Sequence, residues 1–308
     1  MTARHLLEVD DLSAEELALV LDLAATHPVP GLLEGRGVAL VFEKPSARTR
    51  NATEMAVVQL GGHPVSIAGS EIGIGTRESP EDLARALACY HAIIGARVLR
   101  HGTLQSMANA LDRAGVTAPV VNLLSDRAHP CQALADLLTL REAFGRLEGL
   151  TVAFVGDGAN NVATSLALGC AMSGVRLRTA SPAGFGPKQS TVERVAALGG
   201  VLEHGGDPYA AVAGAHAIYT DVWTSMGDEE EAVDRKAAFA GYVVDDRLVA
   251  AARPDAIVLH CLPAKRGEEI TASVIDGERS AVFRQAANRM HAMRGLLWWL
   301  AEGMEQAR

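Results

Sequence analysis

The octapeptide Glu43–Arg50, EKPSARTR, gathers two arginines, a serine and a threonine between an apolar run, VALVF, and the segment NATEMAVVQLGG. That is where a strand turns into a helix. The first turn of a helix has unsatisfied N–H groups and the positive end of the macrodipole, so it favours anions and disfavours cations. Arg48 and Arg50 therefore cost stability there unless an anion sits between them. Backbone N–H groups would point at that anion, and Ser46 and Thr49 add hydroxyl donors. The plainer reading is a solvated helix start whose arginines make surface ion pairs. A nucleoside-triphosphate loop is excluded, because the glycines and the GK[ST] ending are absent.

Four more polar clusters follow apolar runs: GDGANN after TVAFV, TDVWTSMG after AHAIY, HCLPAKRG after AIVLH and SDRAHPCQ after PVVN. Ligands of open α/β sheets bind beyond the carboxyl ends of strands, so this shared address points to one cleft between domains. Gly156 and Gly158 resemble the start of a dinucleotide fingerprint. Asn161, however, stands in place of its third glycine, and no acid ends VRLRTASP to hold a ribose hydroxyl. His129-Pro130-Cys131 and His260-Cys261 lack the usual spacing of zinc ligands, and a buried structural cysteine is the commoner case. A Cys–His nucleophile has no local signature here. Taken singly, Asp221 reads as a helix cap, Arg97 and Arg289 (opening the last helix) as surface charges, and Asp228–Glu231 as the acidic first turn of a helix.

These clusters need a scaffold, and the chain of 308 residues is long enough for two domains. It is 49% hydrophobic and only 4% aromatic, the profile of a soluble α/β protein. A net charge of -9 argues against nucleic-acid binding, so any anion site is a local cluster on an acidic protein. Four cysteines without CxxC spacing predict reduced thiols in the cytoplasm. The opening MTARHLLEVDDLSAEEL lacks an apolar signal core, and LLWWLA is too short to span a bilayer, so neither targeting nor a membrane is expected.

Ser13 and Glu16 predict a capping box opening a helix to Ala25. Strands are predicted at 37–42, 65–68, 92–98 and 119–122, with helices from the arginine segment to Leu60, from Pro80 to Tyr90, at 104–113 and at 131–144. Beyond Gly145–Gly149 the βα alternation restarts, with strands at 151–155, 175–180, 216–220 and 256–260. A last helix at 288–301 puts Met290, Met293, Leu297 and Leu300 on one face. The predicted fold is two doubly wound α/β domains, each a parallel sheet flanked by helices, linked by interdomain helices. Residues 1–145 form the first domain, with the C-terminal helix packed back on it, and residues 146–287 the second.

Together, SARTR, GARV at 95–98, HPCQALADLLT at 129–139, GDGxNN at 156–161, DVWTSMG at 221–227, HCLPA at 260–264 and NR at 288–289 resemble the aspartate/ornithine carbamoyltransferase family, over almost the whole chain and in order. DVWTSMG and HCLPA are specific for its ornithine branch. The resemblance implies transfer of a carbamoyl group from carbamoyl phosphate to ornithine, giving citrulline and phosphate. It implies a homotrimer with active sites at subunit interfaces, and neither metal nor organic cofactor. It assigns phosphate binding to Ser46, Ala47, Arg48 and Thr49. Arg97, His129, Gln132 and Arg289 go to the phosphate or carbamoyl group. Asn161, Asp221, Ser225 and Met226 go to the amino-acid end of ornithine, while Cys261 and the Leu262 carbonyl lie beside the reacting amine.

Three positions depart from the family pattern. Ala47 replaces a threonine of the phosphate loop. Thr164 stands where relatives carry asparagine, and takes no role. Gly73 occupies the place of a glutamine or histidine that reaches a neighbour's phosphate, and Arg77 in the same loop is the candidate replacement. The rival readings are a carbamoyltransferase for putrescine, lysine or an acylated ornithine, a nicotinamide dehydrogenase using the GDG turn, and a noncatalytic carbamoyl-phosphate-binding protein.

Overall fold

A computed structural model describes residues 3–28, 31–224 and 232–306. The chain forms two compact units: one runs to Ala135 and resumes at Ala287, and the other is Asp136–Ala286. The division falls within two helices, Pro130–Phe144 and Val282–Gln306, rather than at the glycines 145–149.

The first unit contains strands β1 (Gly37–Phe42), β2 (His63–Ala68), β3 (Ile93–Arg97) and β4 (Val120–Leu124). They form a parallel sheet in the order β2-β1-β3-β4. Val38, Ala39, Leu40 and Val41 are fully buried, as expected of a central parallel strand covered on both faces. β2 begins two residues earlier than predicted, with Pro64 inside it. A proline has no N–H for a ladder and is tolerated on an edge strand, which β2 is. Beyond β4, Leu6 adds a short parallel bridge: its N–H donates to the Val120 carbonyl at 2.9 Å, and its carbonyl accepts from Asn122 N at 2.8 Å. The helix Ala14–Ala25 starts on the predicted capping box, with Glu16 N donating to Ser13 Oγ at 3.2 Å and Ser13 N to Glu16 Oε2 at 2.9 Å.

The second unit contains β5 (Thr151–Val155), β6 (Arg176–Ala180), β7 (Leu202–Gly205), β8 (Ala217–Thr220) and β9 (Ile257–His260), parallel in the order β7-β6-β5-β8-β9. Ala153, Val155, Ile218, Val258 and Ile275 form part of its dry core. β7, LEHG, lay outside the predicted strands because it is polar and mostly exposed, an edge with no apolar face to read.

The last helix starts at Val282, six residues before the predicted start, so Arg289 lies within it rather than opening it. Of the predicted face Met290, Met293, Leu297 and Leu300, the last three are buried, together with Leu296 and Trp299, while Met290 is half-buried. Truncating one such leucine to alanine typically costs about 2–5 kcal/mol. The acidic run 228–231 lies outside the described residues.

Both sheets have a switch point, where successive connections leave a strand to opposite sides: between β1 and β3 in one, between β5 and β8 in the other. Crevices at such points are where open α/β sheets bind ligands.

Candidate functional site

In the first unit, the helix Ala47–Gln59 leaves the carboxyl end of β1, with Ser46 as its cap. Ser46 Oγ accepts from Thr49 N at 3.4 Å, and the first turn carries no acid. The structure separates the two arginines of this turn. Arg50 Nε lies 2.8 Å from Glu54 Oε1, an i,i+4 surface pair, so the bland reading holds for it. Ala47 and Arg48 are exposed, whereas Thr49 is buried.

Arg97 ends β3, the neighbour of β1, where the ladder to β4 slips between Ala96 and Arg97. Burial lowers its pKa to about 10, helped by the like charges of Arg289 and Arg48. It stays charged at neutral pH, and the charges of Arg289 and Arg48 both act on it. His129 and Gln132 follow β4 at the start of the helix Pro130–Phe144, and both are buried. Arg289 joins the two edges. Its Nη1 donates to Gln132 Oε1 at 2.5 Å and its Nη2 to Thr49 Oγ1 at 3.1 Å.

Burial holds His129 well below the ordinary histidine value, with Arg289 and Arg97 acting in the same direction. It is a neutral imidazole at pH 7. Cys131 is no nucleophile, since burial pushes its thiol up to about 12 and Sγ donates to the Asn122 carbonyl at 3.3 Å. A cationic helix start with no acid in its first turn can hold a phosphate-type dianion.

In the second unit, Asp221 follows β8 and Cys261 follows β9. Cys261 Sγ donates to Asp221 Oδ1 at 3.1 Å, and Val222 N donates to the same oxygen at 2.8 Å. Burial raises the Asp221 carboxyl above its usual value, against the pull of His260, Cys261 and the Val222 N–H. Such a carboxylate gains from an incoming ammonium.

Sequence reasoning selected Asn161 and missed Asn160. Asn160 caps the helix Asn161–Met172, with its Oδ1 accepting from Ala163 N at 2.7 Å. That bond turns its amide Nδ2 to Asp221 Oδ2 at 3.4 Å, while Asn161 is the first helical residue of the same turn. The cap position of an Asn-Asn pair before an apolar helix was the available signal. Thr164 lies buried in that helix. Ser225 and Met226 lie outside the described residues.

His260, Cys261 and Asp221 place ligand-type atoms within 4.8 Å of one another, the one such group of three among the described residues. His260 is committed elsewhere. Its Nδ1 accepts from Leu262 N at 2.9 Å, so Nε2 carries the proton and faces Glu269 Oε1 at 3.1 Å. Two donors remain, fewer than the three or four protein ligands of a zinc site. Leu262 has φ 59 and is the one non-glycine residue with positive φ among those described. Its N–H bond to His260 helps hold a conformation that costs roughly 1–2 kcal/mol, with the Leu262–Pro263 peptide cis.

The GDG turn has internal reasons for its residues. Asp157 pairs with Arg235, whose Nε donates to the Trp223 carbonyl at 2.5 Å. A Cβ on Gly158 would come within 2.9 Å of Ser181 Oγ and 3.2 Å of Pro187 Cδ. The close approach therefore serves the protein's own packing, which weighs against the dehydrogenase reading. Neither Asp157 nor Arg235 was singled out from the sequence, because their pairing spans 78 positions.

Residues 4–142 match the carbamoyl-P binding domain of aspartate/ornithine carbamoyltransferases, and residues 148–300 match the Asp/Orn binding domain. The chain is similar to an ornithine carbamoyltransferase of Acidothermus cellulolyticus, with 51% identity over 97% of each chain. Its fold is similar to the crystal structure of ornithine carbamoyltransferase from Thermus thermophilus, with TM-score 0.87, 43% identity and coverage of 97% of this chain and 99% of that one. The Pyrococcus furiosus ornithine carbamoyltransferase superposes with TM-score 0.90 at 41% identity over 96% of each chain.

Proposed function

We propose, from the premise that the chain belongs to the aspartate/ornithine carbamoyltransferase family, that it transfers the carbamoyl group of carbamoyl phosphate to the δ-amine of L-ornithine, giving L-citrulline and phosphate. The transfer serves arginine biosynthesis or the catabolic arginine deiminase route. The observation that carries the reading is the convergence of Arg48, Arg97 and Arg289 at a helix start without acids, beside a neutral histidine.

In this reading the N–H groups of residues 46–49, with Arg48 and Arg289, hold the phosphate. Arg97, His129 and Gln132 face the carbamoyl group and stabilise charge as it builds on the carbonyl oxygen. Asn161, Asp221, Ser225 and Met226 hold the amino-acid end of ornithine. Asn160 supports Asp221, and Cys261 and the Leu262 carbonyl lie beside the δ-amine. That amine has a free pKa near ~10.4 and attacks only when neutral. Its lone pair forms the C–N bond, the tetrahedral intermediate expels phosphate as the C–O bond breaks, and the surplus proton leaves with the phosphate. No covalent enzyme intermediate, metal or organic cofactor is required, so the acceleration comes from positioning and preorganised charge.

The same reading includes a homotrimer in the cytoplasm, with Arg77 reaching a neighbour's phosphate in place of the residue absent at Gly73. Among the described residues no helix is long and apolar enough to cross a membrane.

The test is citrulline formation from carbamoyl phosphate with a panel of ornithine, lysine, putrescine and N-acetylornithine. Turnover with ornithine is expected. Preference for another amine would reassign the second substrate, and no turnover with any amine would leave a carbamoyl-phosphate-binding protein. Sedimentation velocity checks the trimer.

A further inference from the structure

The turn that delivers His129 is built on one hydroxyl. Ser125 N donates to the Ala128 carbonyl at 3.0 Å, and Ser125 Oγ accepts from Ala128 N and from Asn122 Nδ2, each at 3.2 Å. The Asn122 amide also donates to the Leu7 carbonyl at 2.8 Å, which ties the turn to the N-terminal segment. Ser125 and Asn122 are fully buried. With N–H donors on its lone pairs, the Ser125 hydroxyl has its own proton to give. Its near acceptor is His101 Nδ1 at 2.8 Å, and the Ala128 carbonyl is more distant at 3.4 Å. A ring that accepts at Nδ1 is neutral and carries its proton on Nε2, which here faces Glu8 Oε1 at 3.9 Å.

We infer that His101 is a proton-sensitive positioning residue for the His129–Gln132 side of the anion site. Neutral, it takes the Ser125 proton and keeps the turn closed. A proton gained from solvent on Nδ1 makes the ring a donor. Ser125 must then accept a third bond, and one of its two N–H partners, Ala128 or Asn122, is displaced. Ala128 precedes His129 directly, so the displacement moves a residue of the site. The inference rests on the proposed anion-binding role of His129 and Gln132.

The charged groups facing the ring are Glu8 and Asp11 from the N-terminal segment and Asp126 and Arg127 from the turn. Glu8 also pairs with Arg127 Nε at 2.9 Å. Burial is the largest influence and holds His101 below the ordinary histidine value, with Arg127 acting the same way and the three carboxylates opposing. The neutral ring is therefore the resting state at pH 7.

The sign of one measurement separates this coupling from plain electrostatics. An anion bound nearby attracts a proton to the ring and raises its pKa. Coupling through Ser125 does the opposite, because binding selects the neutral-ring geometry, and linkage requires the same factor in both directions. In the full-length protein with ¹⁵N-labelled histidine, His101 should show the Nε2–H tautomer. Saturating inorganic phosphate should shift its titration down by about 0.7 pH unit, equivalent to about five-fold coupling. Calorimetry with phosphate adds a second readout. As pH falls from about 7.5 through the ring's titration, the unmutated protein should lose progressively more affinity than His101→Gln, up to about five-fold below it; the glutamine amide oxygen still accepts from Ser125 but does not titrate.

An upward or absent shift of the ring titration, or equal pH profiles in the two proteins, overturns this inference alone. Phosphate that fails to bind at about pH 7.5 overturns the anion-site reading and this inference with it. If His101→Gln does not fold, the ring titration of the unmutated protein decides.

Discussion

Arg289 and Thr49 stand 240 positions apart in the chain, yet the Arg289 guanidinium donates to the Thr49 hydroxyl at 3.1 Å while its other terminal nitrogen holds Gln132 at 2.5 Å. One planar fork thus sets the spacing between the helix that follows β1 and the helix that follows β4. Its charge adds to those of Arg48 and Arg97.

Arg289→Lys separates charge from geometry. Lysine keeps the positive charge as a single point and cannot reach both partners with a fixed fork. Carbamoyl-phosphate affinity should fall by about ten-fold, or roughly 1.4 kcal/mol, with a measurable drop in Tm from the two lost bonds. Titration calorimetry and a thermal melt report the two effects. Unchanged affinity would mean that charge alone matters at this position.

Arg48→Ala should act on the ligand and not on the fold. Arg48 is exposed, and such positions usually change stability by no more than about 0.5 kcal/mol. Loss of a charge-assisted phosphate contact typically costs about 1.5–3 kcal/mol. The expected result is an unshifted melt with weakened carbamoyl-phosphate binding. Full affinity would return Arg48 to the status of a surface cation.

Asp221→Asn should trade function for stability. Burial raises the native carboxyl above its usual pKa. Just above that usual value the folded state binds more protons than the unfolded state, so stability falls as pH rises through this window and the loss persists at neutral pH. The asparagine variant avoids the loss. At pH 7 its Tm should match or exceed that of the unmutated protein, and the gap should close on acidification through the native Asp221 pKa. Ornithine affinity should meanwhile drop by tens-fold or more, since truncating one partner of a partly buried ion pair costs about 2–5 kcal/mol. Carbamoyl-phosphate binding should hold. Melts across pH and the ornithine dependence of citrulline formation test both halves. Equal weakening of both substrates would indicate a folding defect.

Arg77 is the test of a contact between subunits. Gly73 closes the helix Gly69–Ile72 at φ 67, and a Cβ there would lie 3.0 Å from Thr76 Oγ1 and 3.2 Å from Arg77 Cδ. The loop's own shape therefore calls for glycine. Arg77 is exposed, with Nη1 donating to the Glu71 carbonyl at 3.2 Å. Arg77→Ala should lower activity, and mixing it with Arg48→Ala subunits should restore part of it, because each chain supplies what the other lacks. No recovery in the hybrids would discard the role.

The sequence by itself determined the scaffold wherever a structural signal is carried by contiguous residues. VALVF and TVAFV are strands because each can bury both faces in a parallel sheet, and Ser13 with Glu16 opens a helix because a cap needs only neighbours. The same locality placed SARTR, HPCQ, DVW and HCLP just past strand ends. It failed for β7, whose LEHG has no apolar face, and for the first turns of Val282–Gln306.

The tertiary structure decided which chemically similar groups do different things. Cys131 is dry and inert, but Cys261 donates to a buried carboxylate. Asn160, the helix cap, also bonds Asp221 across 61 positions. His101 Nδ1 meets the Ser125 hydroxyl at 2.8 Å, a partner 24 positions away. Desolvation and hydrogen-bond partnership depend on atoms brought together from distant parts of the chain, and residue type and spacing do not record them.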